Sequence, residues 1–295
     1  MKLNPILWGL FLAVSGASMA AAQDASATPP KVLQITREWI KPGKAGMAHD
    51  KSEAAFVSLM NKGKLQGHYV ALNSMSGKSR ALYIARYPSF EAWEADNKIF
   101  GKNPALNAEF DRAATADGEL LDGLDTAVFT YSEEMSYHPR PDLSHARYYQ
   151  INVFHVRPGH IKEWRQAVKM YQEACDKANN GAHWGMYELA YGGDGGTFMA
   201  LSHRSSMKEI DEIIAGDKKF VEAMGGPEGM QKFDEVFSQA VDSSHAELFS
   251  INPKQSYADE QWIKGDPDFW KPKATEAAKS AKPAANTTAK ATPAQ

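Results

Sequence analysis

The chain writes one local pattern twice, and any fold it adopts must accommodate both copies. In "INVFHVRPGHIKEW", residues 151–164, alternating side chains run into a Pro-Gly break and then into amphipathic spacing, as a strand feeding a helix would. "ITREWIKPGKAGMA", from residue 35, repeats it with Pro42-Gly43 in the place of Pro158-Gly159. The echo continues along the chain. Gln34 matches Gln150, and "GHYVAL" matches "AHWGMY", which sets His68 on His183. The turns "SGKS" and "GGDGG" each precede a strand-like run, and Pro104 with Phe110-Asp111 matches Pro227 with Phe233-Asp234. The spacing between copies drifts as small loop insertions would make it drift, so a diverged internal duplication is expected.

The second copy spells its elements more clearly. Ile161, Trp164, Val168, Tyr171, Cys175 and Ala178 step by three and four, which gives one helix an apolar stripe. Two strands around the Gly-rich turn follow. "SSMKEIDEII" then begins a helix under a Ser cap, "GGPEG" breaks it, "MQKFDEVFSQAV" continues, and "HAELFSI" closes as a strand. The order is β-α-β-β-α-β, a split ferredoxin-like unit. One such sheet carries its helices on a single face and leaves the other bare, so two copies in one chain can cover each other. The expected class is therefore α+β: two tandem ferredoxin-like repeats forming an intrachain pseudo-dimeric α+β barrel. The first repeat is set at residues 31–138, a linker at 139–146, the second repeat at 147–257 and a C-terminal extension at 258–270.

A strand that ends in Pro-Gly and runs into a helix, repeated in this frame at Pro42-Gly43 and Pro158-Gly159, resembles the dimeric α+β barrel superfamily, in particular its NIPSNAP-like and antibiotic-biosynthesis-monooxygenase-like branches. The resemblance covers roughly residues 31–257 and implies two facing sheets with a pocket in each half between sheet and helices. It also implies a range of functions: cofactor-free oxygenases, isomerases, haem enzymes and proteins without catalysis. Fold does not choose among them.

Both ends differ from the body. Lys2, the apolar run around Ile6 to Val14 and the small residues Ala20 to Ala22 read as a secretory signal over residues 1–22, with a linker at 23–30. The expected location is periplasmic or secreted. From residue 271 to 295 the sequence becomes Lys, Ala, Pro and Thr without aromatics, a composition that reads as a disordered tail. That tail is basic, so the body is more acidic than the formal −3 of the whole chain, which argues against a nucleic-acid partner. Weak contact of the tail with an anionic envelope surface is the one macromolecular contact this pattern suggests. No apolar stretch after the signal approaches the ~20 residues of a membrane span. Cys175, the single cysteine, reads as an inert core thiol.

Strand parity sorts the candidate site residues. Leu33, Ile35, Arg37 and Trp39 share one face of the first strand, and Tyr149, Ile151, Val153 and His155 share the matching face of its counterpart. These more apolar sets are expected to meet the helices, leaving Gln34, Thr36 and Glu38 with Gln150 and Asn152 in a polar seam between the sheets. On the helix-facing set, Arg37 either pairs at the sheet margin or anchors an anionic group, and His155 is the candidate general base. The stripe Ala45, Ala48, Ser52 and Ala55 stands where the second copy has Ile161, Trp164, Val168 and Tyr171. A roomier first-half pocket is therefore expected, bordered by Arg37, Trp39, Tyr83 and the Ala48 face, with the second half packed solid. His68 and His183 are candidate ligand contacts that share a structural task. No metal is expected, since His-x-His, HExxH and Cys ligand sets are absent. No cofactor is expected, haem being the lesser reading because no His matches an axial position. The function expected is binding of a small hydrophobic or aromatic molecule, with cofactor-independent monooxygenation or isomerisation as its chemistry. The alternative is a non-catalytic cell-envelope binding or structural protein.

Overall fold

A computed structural model of the chain describes residues 28–271. The expected export signal, and all of the expected tail except Lys271, lie outside them. The first half folds into β1 (Val32–Ile40), α1 (Met47–Gly63), β2 (Tyr69–Ser74), β3 (Arg80–Tyr87), α2 (Phe90–Gly101), α3 (Pro104–Gly118) and β4 (Leu121–Tyr137). The second folds into β5 (Tyr148–Val156), α4 (Ile161–Ala178), β6 (Trp184–Tyr191), β7 (Thr197–Arg204), α5 (Lys208–Ala215), α6 (Asp217–Met224), α7 (Gly226–Ala240) and β8 (Val241–Ile251). Two short helices follow, α8 (Glu260–Gly265) and α9 (Pro267–Trp270). The Pro-Gly turns supply Gly43 and Gly159 at φ 77° and 87°, the left-handed region that only glycine enters at little cost.

Strand order is the same in the two halves. β4-β1-β3-β2 in the first corresponds to β8-β5-β7-β6 in the second, all antiparallel, and the halves join where β2 pairs with β8 and β4 with β6. The result is one closed eight-stranded barrel. β4 is long enough to serve both halves: it pairs with β1 as far as Thr130 and with β6 from Val128 to Tyr137. Closure leaves no sheet edge unpaired.

Inside the barrel, Leu33, Ile35, Leu82, Ile84, Phe129, Ile151, Met199 and Phe249 form one apolar core. This reverses the expected faces. Leu33 and Ile35, with Tyr149 and Ile151, fill the interior, whereas Gln34, Thr36 and Glu38, with Gln150 and Asn152, face the helices and border cavities. Alternation says which residues share a face but not which face is inside. The closed interior excludes water and takes the apolar set, while the helix layer leaves gaps that tolerate the polar one.

Helix α1 is likewise rotated from its expected setting. Ala48 and Ala55 are exposed, Ala45 precedes the helix, and His49, Glu53 and Leu59 are the buried residues of α1. Val57 and Met60 pack against the apolar cluster around Tyr69, Tyr83 and Leu121, Leu59 is buried, and Ala48 and Ala55 are left to solvent.

The barrel ends are closed differently. Near the C-terminal end of β1, Arg37 pairs with Asp125 at 2.5 Å and Arg80 pairs with Glu247. At the opposite end, α8 and α9 insert Trp262 and Trp270 into the barrel core, where Trp270 Nε1 donates to the Ser144 carbonyl at 2.9 Å. Arg147 pairs with Asp266 and lies 3.8 Å from the Phe269 ring centroid. The extension is therefore part of the folded body. Replacing Trp262 with Ala should cost about 3–5 kcal/mol in chemical unfolding, against a change within about 0.5 kcal/mol for Met47→Ala on the surface. A loss under about 1 kcal/mol at Trp262 would mean that the extension does not complete the core.

Candidate active site

Between the first-half sheet and its three helices lies a cavity of about 570 Å³. Aromatic side chains make most of its wall: Phe56 from α1, Tyr69, Tyr83 and Tyr87 from β2 and β3, Trp93 and Phe100 from α2, and Phe110 from α3. Gly67 also lines it, where a β-carbon would collide with the Tyr87 ring, and Asp96 fixes that loop by accepting from the Gln66 and Gly67 amides at 2.9 and 2.6 Å. The floor is charged. Glu38, Glu53 and Asp117 border the cavity, and with His49 their ligand-type atoms all lie within 4.8 Å of one another.

Local structure accounts for the gathering. Glu38 sits at the helix-facing parity of β1, His49 and Glu53 stand one turn apart on α1 and so share a face, and Asp117 lies in the last turn of α3. All four are at least nine-tenths buried. Three buried carboxylates cannot all stay charged at such spacing, because each loses hydration and repels the others. Glu53 yields. Burial first, then the charges of Glu38 and Asp117, push its carboxyl up to about 9, so it is a neutral acid at pH 7. Glu38 is also raised by burial, opposed chiefly by its bond to His49. Tyr83 is raised well above the ordinary phenol value, by burial and then by Glu53 and Glu38.

A hydrogen-bonded chain from the far end of the sequence fixes the proton on His49. Asp50 Oδ1 accepts from Asn252 Nδ2 at 3.0 Å and from Gln255 Nε2 at 2.9 Å, so the Gln255 amide must present its NH₂ on this side. The same nitrogen lies 3.3 Å from His49 Nδ1, which therefore accepts. The ring proton then sits on Nε2 and is donated to Glu38 Oε2 at 3.0 Å. This bears directly on whether the group suits a metal. The spacing of the four ligand atoms is one a cation could use, but a neutral His ligates through Nε2 only when Nδ1 carries the proton, and Gln255 blocks that tautomer. Glu53 Oε1, Tyr83 Oη and Asp117 Oδ1 make no hydrogen bond within the protein, so buried polar atoms face the cavity unpaired.

The second half is not packed solid, contrary to expectation. Bulky α4 residues hold the helix off the sheet rather than filling the gap, and a cavity of about 370 Å³ remains, lined by Phe154, Trp164, Tyr171, Phe237 and Met186, with His183, Ser202 and Arg204 among its polar groups.

Of the residues singled out in the sequence, Tyr83 lines the first cavity and His183 the second. Arg37 does not line either; it is spent on Asp125. Trp39 is paired in register with Gly123, on the barrel-interior parity and outside the cavity wall. His155 shares a hydrogen bond of 3.1 Å with Thr197 Oγ1, whose own proton goes to the Asp194 carbonyl at 2.7 Å, so it donates to a strand-end hydroxyl and has no cavity to serve. Ala48 is on the solvent side of α1. His68 stacks on Tyr257 at 4.5 Å, with Nδ1 3.3 Å from the Tyr257 carbonyl, outside the first cavity. Glu38, His49, Glu53 and Asp117 were not singled out. The His-x₃-Glu spacing on a helix was the legible signal, and nothing in the sequence ties Gln255 to it.

No His bordering either cavity among the described residues has a ring nitrogen free to ligate haem. His183 is the one His bordering them among the described residues, and its Nε2 lies 2.8 Å from the His203 carbonyl while Nδ1 lies 3.2 Å from Arg204 Nη1. Among the described residues no helix is long and apolar enough to cross a membrane.

No family model matches this chain, and no curated protein matches it. Among solved structures it is similar to a candidate monooxygenase from Fusobacterium nucleatum, at 10% identity over 76% of this chain and 93% of that one, with a TM-score of 0.49. An anthrone oxidase-like protein is similar at 11% identity over 79% and 96%, TM-score 0.49. A mutant chlorite dismutase from Candidatus Nitrospira defluvii is similar at 11% identity over 83% and 98%, TM-score 0.46.

The raised Glu53 carboxyl has a measurable consequence. The folded chain holds a proton that the unfolded chain releases near pH 4.5, so the free energy of unfolding should fall as pH rises from about 4.5 to about 9. Glu53→Gln removes that linkage and should flatten the profile by up to about 1.4 kcal/mol per pH unit across this window. Parallel profiles for the two proteins in urea titrations would show that Glu53 is ionised at neutral pH.

Proposed function

We propose that the first-half cavity binds a small hydrophobic or aromatic carbonyl compound and enolises it. The observation that carries this reading is the pairing, on one cavity floor, of a neutral carboxylic acid with a carboxylate held in place by a histidine N–H. Both carboxyls are raised by burial, but the His49 N–H opposes the rise at Glu38 alone, and that difference makes a division of labour between them. Glu38 takes the proton from the carbon beside the carbonyl. Glu53, with the Tyr83 hydroxyl, donates to the carbonyl oxygen as it gains charge. His49 is a positioning residue, holding the Glu38 carboxylate through Nε2, and Gln255 and Asp50 hold His49. The cavity volume falls within the ~300–1,000 Å³ of small-molecule sites, and its aromatic wall suits a flat apolar body. Reprotonation of the enol at another carbon isomerises the compound. Capture of the enolate by dioxygen as co-substrate oxygenates it, and neither route needs a resident metal or haem.

The identical strand order of the two halves supports reading them as tandem ferredoxin-like copies, of the kind found in dimeric α+β barrels, in which the first copy has kept the acid–base floor. Export by the N-terminal apolar stretch would place this chemistry outside the cytoplasm.

Deuterium exchange tests the common first step. With 2-tetralone in D₂O, the chain should speed label incorporation beside the carbonyl, and Glu38→Gln should slow the catalysed exchange by about 10²–10⁴-fold. Glu53→Gln, which can still donate a hydrogen bond, should lose less than Glu53→Leu. Equal exchange by the unaltered chain and Glu38→Gln would end this assignment.

A further inference from the structure

The second cavity has the opposite electrical character from the first. Arg204 ends β7 and is 5% exposed, its Nε makes no hydrogen bond within the protein, and among the described residues no carboxylate lies within 4.0 Å of it. Glu209 is the nearest acidic influence, but its carboxylate is engaged by the Ser205 amide and hydroxyl at 2.7 and 2.5 Å and faces Arg140 at 4.0 Å. Arg204 Nη1 lies 3.2 Å from His183 Nδ1 and donates to it, which puts the imidazole proton on Nε2, directed at the His203 carbonyl, and leaves His183 neutral. No anion is gained there. A second buried donor, Trp164 Nε1, is also unpaired, and Trp164 is 2% exposed on the same cavity.

A guanidinium in an apolar enclosure is costly unless an anion meets it. We propose that the second-half cavity is a binding site for an aromatic carboxylate of one or two rings. The carboxylate meets the Arg204 guanidinium, and the ring body lies among Phe154, Trp184 and Phe237. The position of Arg204 suits this role: it lies at the end of its strand, beside the cavity, with Ser202 two residues away on the same helix-facing parity. Its counterpart by strand order in the first half is the end of β3, where Tyr87 stands, so the charge belongs to the second half alone. The site is independent of the enolising floor. It uses other residues, and the proposal stands or falls separately.

Calorimetry on the full chain with 2-naphthoate, and with neutral 2-naphthamide as its uncharged counterpart, tests it. Naphthoate should bind and naphthamide should bind at least tenfold more weakly. Arg204→Gln should weaken naphthoate by about 10- to 100-fold while leaving naphthamide unchanged, and Arg204→Lys should recover part of the loss. Ala167→Phe, which fills the cavity, should abolish binding of both. Glu53→Gln in the first half should leave naphthoate affinity unaltered. If Arg204→Gln does not fold, the naphthoate and naphthamide affinities of the unaltered chain decide the matter. Equal affinities, no naphthoate binding at millimolar concentration, or loss of binding in Glu53→Gln would overturn the proposal.

Discussion

Everything in this molecule depends on two-sided strands in a closed ring. Each strand must give one face to an interior sealed on all sides and the other to a layer of helices that covers it incompletely. The middle of the interior is apolar and ion pairs such as Arg37–Asp125 and Arg80–Glu247 lie toward one end, with Phe198 and Phe249 among the largest fully buried residues of the outer and inner faces. The helix-side faces are where volume is left over and where polar groups can be afforded. Both cavities lie there, one per half, at equivalent places in the strand order.

The halves then diverge in charge. On the first, three carboxyl groups and an imidazole share one buried floor, with Glu53 holding its proton. On the second, an arginine stands with a neutral histidine. The divergence has a structural origin in the helix laid over each sheet. α4 presents Trp164, Ala167, Val168 and Cys175 and stays apolar on its buried face, whereas α1 turns His49 and Glu53 inward and leaves its small residues outside. Two halves of the same strand order thus differ in charge through the phase of one helix.

Much of this frame was legible beforehand because it rests on local signals. The repeated Pro-Gly turns, the Gly-rich hairpins and the element order are dictated by backbone conformations that few residues supply. The faces were read backwards because alternation is symmetric: Leu33 and Gln34 announce two sides without saying which is enclosed. α1 was misphased for a related reason. Its apolar pattern is weak, so Ala48 and Ala55 looked like a packing face, whereas Val57 and Met60 pack on the sheet side and His49, Glu53 and Leu59 are the buried residues. Arg37 and His155 stood out as unusual residues on apolar strands, but they mark strand ends, where Asp125 and Thr197 satisfy them. The Glu38 to Asp117 cluster draws on three elements, and its histidine is set by Gln255, more than two hundred residues away along the chain. Only the closed barrel brings these together.

That long reach has a consequence for how the molecule comes into being. After β8 the chain crosses back to the first half, where Asn252 and Gln255 hold Asp50, the Ser256 hydroxyl accepts from the Ala71 amide at 2.9 Å, and the Tyr257 hydroxyl donates to the Leu65 carbonyl at 2.9 Å. During synthesis the N-terminal half is finished long before these residues leave the ribosome. Its histidine is then free to take either tautomer, and its buried acids lack their final arrangement. The cluster is wired from a segment that follows β8, so a product cut before it carries the pocket without the bonds that set His49. The bonds that set His49 and the closure of the barrel by β8 thus come from one stretch of chain.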